Sequence, residues 1–84
     1  MTYFLYILEC ADGSLYTGIT TDVSRRLTEH QEGIGARYTR THGAVRMVYV
    51  EECADRSFAS KREAQVKRLS RKEKEDLVAR QQDD

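Results

Sequence analysis

Tyr3-Phe4-Leu5-Tyr6-Ile7-Leu8-Glu9-Cys10, then Ala11-Asp12-Gly13-Ser14, then Leu15-Tyr16-Thr17-Gly18-Ile19: this stretch decides the fold. Two aromatic and aliphatic runs flank a cluster of turn residues, which reads as a β-hairpin. Asp12-Gly13 can fill a two-residue type I′ loop, or Gly13 can be the left-handed residue that closes a three-residue loop, Ala11-Asp12-Gly13, with a bulge. The choice decides which side chains share a face. With two loop residues Ala11 pairs Ser14, and Tyr6 and Tyr16 point to opposite faces. With three, Cys10 pairs Ser14, Tyr16 pairs Leu8, and both tyrosines share a face.

Downstream, Thr20-Thr21-Asp22 supplies N-cap oxygens for a helix with Val23 and Leu27 on its apolar side and Arg26 and His30 four residues apart on a neighbouring stripe. The helix should stop near Gly33. Gly33 to Gly43 holds three glycines with Arg37, Tyr38, Thr39, Arg40 and His42, follows neither the helical nor the strand period, and reads as a basic loop. Val45 to Val50 reads as the third strand. Asp55 or Ser57 can cap a second helix, in which Phe58, Ala59, Val66 and Leu69 recur at helical spacing and Glu63 and Lys67 stand four apart. Ser70-Arg71-Lys72-Glu73 matches a capping box for a third helix with Leu77 and Val78 as its contacts, and residues 81–84 read as a frayed tail after a single domain over 3–80.

Composition sets the outer limits. At 84 residues, 39% apolar and 33% charged, the chain has room for one α+β domain and is too apolar for a disordered tail. Tyr3 to Leu8 is too short to cross a bilayer and no basic residue precedes it, so a cytoplasmic protein with no membrane partner is expected. Cys10 and Cys53 lack the spacing of a zinc site or a disulfide framework and read as buried thiols. Fourteen basic residues balance fourteen acidic ones, but unevenly: Val23 to Val50 holds five Arg against two Glu, and Arg56 to Lys74 eight basic residues against two acidic. A neutral chain can thus present one positive surface to a nucleic acid.

The sequence offers no nucleophilic Ser or Cys beside a His, no phosphate-binding glycine loop and no His/Cys metal cage. It offers instead two tyrosines on a hairpin, an Arg/His pair on the next helix, and Glu63 in an otherwise basic helix. Phe4-Leu5-Tyr6, then Tyr16-Thr17-Gly18, then Arg26, His30 and Glu63, in this order and spacing, resemble the pattern of the GIY-YIG nuclease superfamily. The similarity runs from Tyr3 to Lys74 and is strongest to its small stand-alone bacterial branch, whose members are mostly uncharacterised. Phe4-Leu5 stands where the name-giving motif has Gly-Ile, and Thr17 where it has Ile; both tyrosines and Gly18 are kept.

The resemblance implies a three-stranded antiparallel sheet flanked by three helices, and, because both tyrosines then face one site, the three-residue hairpin loop. It also implies hydrolysis of phosphodiester bonds, with Tyr6 as the general base toward water, Tyr16 positioning that network, Arg26 stabilising the transition state, His30 shuttling a proton or holding a phosphate oxygen, and Glu63 binding Mg²⁺ or Mn²⁺. Tyr38 stands near where some relatives place another aromatic or His by the scissile phosphate. A free tyrosine has a pKa of about 10, so a Tyr6 base needs a lowered value or transient deprotonation beside the cation and Arg26. One carboxylate is few for a hard cation, which must complete its shell with water and substrate oxygens and can be absent without substrate.

Each residue also has an ordinary reading. Tyr6 and Tyr16 could be half-buried sheet aromatics, Arg26 and His30 a solvated helix face, and Glu63 with Lys67 an i,i+4 pair of small energetic value. Arg37, Arg40, Arg62, Lys67 and Arg71, if they touch nucleic acid, should contact phosphates rather than read bases. The leading expectation is a metal-dependent endonuclease on DNA, with RNA as the other polymer of the same chemistry and branched or damaged structures as candidate substrates. It would act as a monomer, with specificity drawn from nucleic-acid shape or a protein partner. The alternatives are a nucleic-acid-binding module without catalysis and a small protein-interaction adaptor.

Overall fold

The computed structural model describes residues 1–82. Its first strand, β1 (Tyr3–Cys10), turns through Ala11-Asp12-Gly13 into β2 (Leu15–Thr20). The Cys10 amide donates to Ser14 O at 2.9 Å, the Gly13 amide donates to Cys10 O at 2.9 Å, and Gly13 has φ 84°. This is the three-residue loop with glycine in the left-handed position, where a side chain would be strained. Leu8 therefore faces Tyr16 and Tyr6 faces Gly18.

Helix α1 (Val23–Gln31) follows, capped by Asp22, whose carboxylate accepts from the Arg25 amide at 3.0 Å. It ends in a paired motif around Gly33 (φ 80°): the Gly33 amide donates to His30 O at 3.1 Å and the Ile34 amide to Glu29 O at 3.0 Å. The expected basic loop is not wholly irregular. Arg37–His42 forms a fourth helix, α2, between Ala36, which gives no side-chain cap, and Gly43 at φ 78°. Glycines flanking a six-residue polar segment hide so short a helix from any periodicity, because it is fixed by its neighbours rather than by its own propensity.

Strand β3 (Ala44–Cys53) lies antiparallel to β1 on the side away from β2, giving the order β2-β1-β3 with register shifts between Ile7 and Leu8 and between Glu9 and Cys10. It is longer at its C-terminal end than the expected strand. Helix α3 (Arg56–Lys67) is capped by Asp55, which accepts from the Phe58 amide at 2.8 Å. Helix α4 (Arg71–Gln82) starts with the expected capping box: Ser70 N donates to Glu73 Oε1 at 2.9 Å, and Glu73 N to Ser70 Oγ at 3.2 Å. Residues 81 and 82, expected to fray, continue α4. The Gln81 side chain bonds both backbone groups of Val50, at 3.1 and 2.6 Å, which ties that last turn to β3. Residues 83 and 84, the rest of the expected tail, lie outside the described residues.

Central β1 is buried on both faces, so each face has its own core. Leu5, Ile7, Tyr49 and Cys53 meet Ala59 and Val66 of α3, with Leu69, Leu77 and Val78 at the margin. Tyr6, Leu8 and Cys10 meet Tyr16, Leu27, Ala44, Met47 and Val50 on the other side. Cys10 and Cys53 are buried free thiols. Phe58 does not join Ala59 and Val66 inside: it is 56% exposed, although it lies in the first turn of the same helix. No helix among the described residues is long and apolar enough to cross a membrane.

Candidate active site

The hairpin register brings Tyr6 over Gly18. A Cβ on Gly18 would stand 2.5 Å from the Tyr6 hydroxyl oxygen and 2.7 Å from its Cζ, so the ring can lie flat across the neighbouring strand only because residue 18 has no side chain. That is the physical reason for glycine in Tyr16-Thr17-Gly18. Tyr6 is 1% exposed, and its hydroxyl meets His30 Nε2 at 2.7 Å.

His30 is the one buried residue of α1 and is itself 1% exposed, so the most deeply placed side chain of that helix is a polar ring, with Leu27 packed on the same core. Its other nitrogen, Nδ1, lies 2.6 Å from Thr39 Oγ1 on α2. The Thr39 hydroxyl donates to Ala36 O at 3.0 Å and so accepts from His30, which assigns the proton to Nδ1 and leaves Nε2 as the acceptor for Tyr6. The Ala36 amide, which would favour the other tautomer, approaches Nδ1 only at 3.4 Å, the weaker contact. A Cβ on Gly35 would collide with the His30 ring, so this glycine makes room for histidine as Gly18 does for tyrosine.

Burial of the phenol pushes the Tyr6 pKa up to about 12; Arg26 at its oxygen works against the rise, while Tyr16 and the Glu63 carboxylate add to it. Burial, with the charge of Arg26, pushes His30 down, so its ring is neutral at neutral pH. Burial opposes the charge on Arg26, but contacts with Tyr6 and with Glu29, whose Oε1 lies 3.2 Å from Nη1, more than restore it. Of the two routes open to a Tyr6 base, burial disfavours a lowered pKa, and the hydrogen bond to His30 supports transient deprotonation.

Tyr6, Tyr16, Arg26 and His30 thus converge on one face of the sheet. Ring centroids of Tyr16 and Tyr6 lie 6.4 Å apart, and those of Tyr16 and His30 5.3 Å. Glu63 comes from α3, close enough for its charge to act on Tyr6, and pairs with Lys67 at 3.4 Å. Tyr38 joins through Tyr16, at 5.8 Å, and α2 presents Arg37 and Arg40 to solvent beside it. Arg62 is drawn elsewhere, its Nε donating to Glu51 Oε2 at 2.9 Å, and Arg71 bonds Glu75 at 3.1 Å along α4. These two basic residues are already neutralised.

Sequence reasoning missed Thr39 and Gly35. A threonine nine residues beyond a histidine has no signature of its own, and Gly35 needs no unusual φ, only space. Thr17, between the two motif residues of β2, is also unusual: its hydroxyl oxygen is buried and has no hydrogen-bond partner among the described residues.

The profile of the GIY-YIG catalytic domain matches residues 2–76. A UPF0213 protein of Desulfotalea psychrophila is 57% identical over 77 residues, covering 90% of this chain and 70% of that protein. The solution structure of the UPF0213 protein BH0048 from Bacillus halodurans superposes with a TM-score of 0.60 at 49% identity, over 94% of this chain and 84% of that one. That of EF2693 from E. faecalis gives 0.65 at 41%, over 100% and 90%. With nearly its whole length matched, the chain belongs to the GIY-YIG catalytic domain family of nucleases, among its small UPF0213 members.

Proposed function

We propose that the protein is a divalent-metal-dependent endonuclease that hydrolyses DNA phosphodiester bonds, acting as a single domain in the cytoplasm. The observation that carries this is the Tyr6 hydroxyl held at 2.7 Å by a buried, neutral His30 beside Arg26. A phenol with a pKa of about 12 cannot act as a standing base at neutral pH. It can take a proton from the attacking water as its own proton passes to His30 Nε2, so that no free tyrosinate forms. Arg26 disfavours a charged His30 in the free protein, and an arriving phosphate offsets that effect. Arg26 itself faces the non-bridging oxygens, where transition-state charge concentrates.

Among the described residues no three His, Cys, Asp or Glu side chains cluster as a ready-made cage. Glu63 fits a looser arrangement: its side chain is 25% exposed and its partner Lys67 is a solvated neighbour on the same helix. This suits a hard cation held through one carboxylate, its shell completed by water and substrate oxygens. When bound, such a cation supplies Lewis-acid stabilisation of phosphoryl charge.

The test is cleavage of labelled supercoiled, single-stranded and branched DNA with Mg²⁺, Mn²⁺ or EDTA, comparing the wild type with Glu63→Ala and Arg26→Ala. Metal-dependent cutting that both variants lose is expected. Binding without cutting by the folded wild type would overturn the nuclease reading in favour of a binding module.

A further inference from the structure

The aromatic rings do not stop at the buried hydroxyl. Tyr38 stacks on Tyr16 with 28° between their planes, and His42 stacks on Tyr38 at 4.1 Å and 25°. His42 is fixed from behind, since Asp12 of the hairpin loop pairs with its Nδ1 and is itself held by the Ser14 amide at 3.0 Å and the Ser14 hydroxyl at 2.6 Å. A row of rings from β2 and α2, locked by the β1–β2 loop, therefore runs from the catalytic hydroxyl to the surface. Packing does not explain its outer end: Thr39 is the buried residue of α2, whereas Tyr38 is 39% exposed and the side chain of His42, the last ring of the row, is 35% exposed. Arg37 and Arg40 are exposed beside it and form no ion pair among the described residues.

We propose that this row is a stacking platform for an unpaired nucleobase, so that the substrate is a phosphodiester next to a single-stranded nucleotide rather than one within continuous duplex. Its use as a cleavage site rests on the nuclease reading, but the binding does not. Three features lead there. Exposed rings held rigidly lose little entropy when a flat ligand joins them. A base within a duplex has both faces covered by its neighbours, whereas an unpaired base has a face to offer and every base has one, so the platform selects strandedness without reading sequence. The two free arginines meet phosphates on either side of a stacked base, as in other single-strand grooves.

The experiment is binding in EDTA, where no cleavage intervenes, of fluorescein-labelled oligothymidylate and oligouridylate of about 15 nucleotides, and of a hairpin duplex of the same length. Single strands of either sugar are expected to bind at least about tenfold tighter than duplex, with quenching of a 2-aminopurine placed in the strand. Replacing Tyr38 and His42 together by Ala should lose about 5- to 150-fold of single-strand affinity, the range for removing a stacking side chain, while replacing both by Phe keeps it and duplex binding stays unchanged. Circular dichroism confirms that both variants fold. Equal affinity for duplex and single strand, or single-strand binding unchanged when Tyr38 and His42 are both replaced by Ala, overturns the proposal. Metal-dependent cutting with equal affinities would leave the nuclease reading standing alone; quenching and strand preference without cutting would leave the platform standing alone.

Discussion

The two faces of one sheet, three strands wide, have been put to different uses. Toward α3 and α4, Leu5, Ile7, Tyr49, Ala59 and Val66 meet in an ordinary apolar core. Toward α1 and α2, alternate residues of the same strands bury a phenol and an imidazole and join them through a threonine to the backbone. Burial of an apolar side chain is favourable wherever it fits, but buried polar groups are favourable only when each finds its partner, so the second face is the more demanding in geometry. The core face holds the molecule together and the polar face carries the candidate site.

Substitutions can separate these uses. The largest expected effect is that of Tyr6→Phe, which keeps the ring and removes the reacting oxygen: cleavage should fall by about 10²- to 10⁴-fold, the usual contribution of an acid–base group, with the fold retained by circular dichroism. Ile7→Ala, one residue along β1 but on the core face, should lose about 2–5 kcal/mol of stability in urea titrations, with activity per folded molecule unchanged. If Ile7→Ala instead abolished activity in fully folded protein, the division between faces would be wrong. Gly18→Ala should push the buried Tyr6 ring aside, costing about 100-fold in cleavage, the effect of misplacing a reacting group by about 1 Å, and about 1–3 kcal/mol of stability from overpacking.

The pH dependence of stability should carry the mark of the polar face at both ends. The folded chain resists protonating His30, whereas the unfolded chain accepts a proton near pH 6.5, so stability is complete above that value and falls as the solution is acidified through it. Tyr6 is raised, so its contribution is complete below about pH 10 and lost as pH climbs toward about 12. Thermal unfolding across pH should show both limbs, and Tyr6→Phe should reduce the alkaline one. The smallest effect belongs to Thr17→Val, which replaces an unpartnered buried hydroxyl with a methyl and should raise stability by about 1 kcal/mol.

The difference between the faces also marks what the sequence could disclose. Strands, caps and the presence of the hairpin were readable because each depends on nearby residues, as Asp22, Asp55 and Ser70 cap helices a few positions on; which of two loops Gly13 closes was readable only through the resemblance. The two tyrosines, Arg26 and His30 were readable by resemblance, and geometry now joins them. Helix α2 was not, since its six residues hold their shape between Gly33 and Gly43 and against His30. Thr39, Gly35 and the pairing of Asp12 with His42 were hidden for the same reason: their partners lie nine, five and thirty residues away. Phe58 misled because helical spacing tells which residues align, not which side of the helix the sheet will meet.

The Gln81 amide, described above as a tie for the last turn of α4, also acts as a stopper. β3 is an outer strand, and an open row of backbone donors and acceptors invites a strand from another molecule. By taking up the N–H and C=O of Val50 together, Gln81 occupies one complete pairing position on that row with a side chain that cannot be extended into a further strand. A chain cut after Arg80 would keep every residue of the candidate site and lose this stopper. Such a truncated chain would still hold the candidate site, but its sheet would be free to grow by self-association.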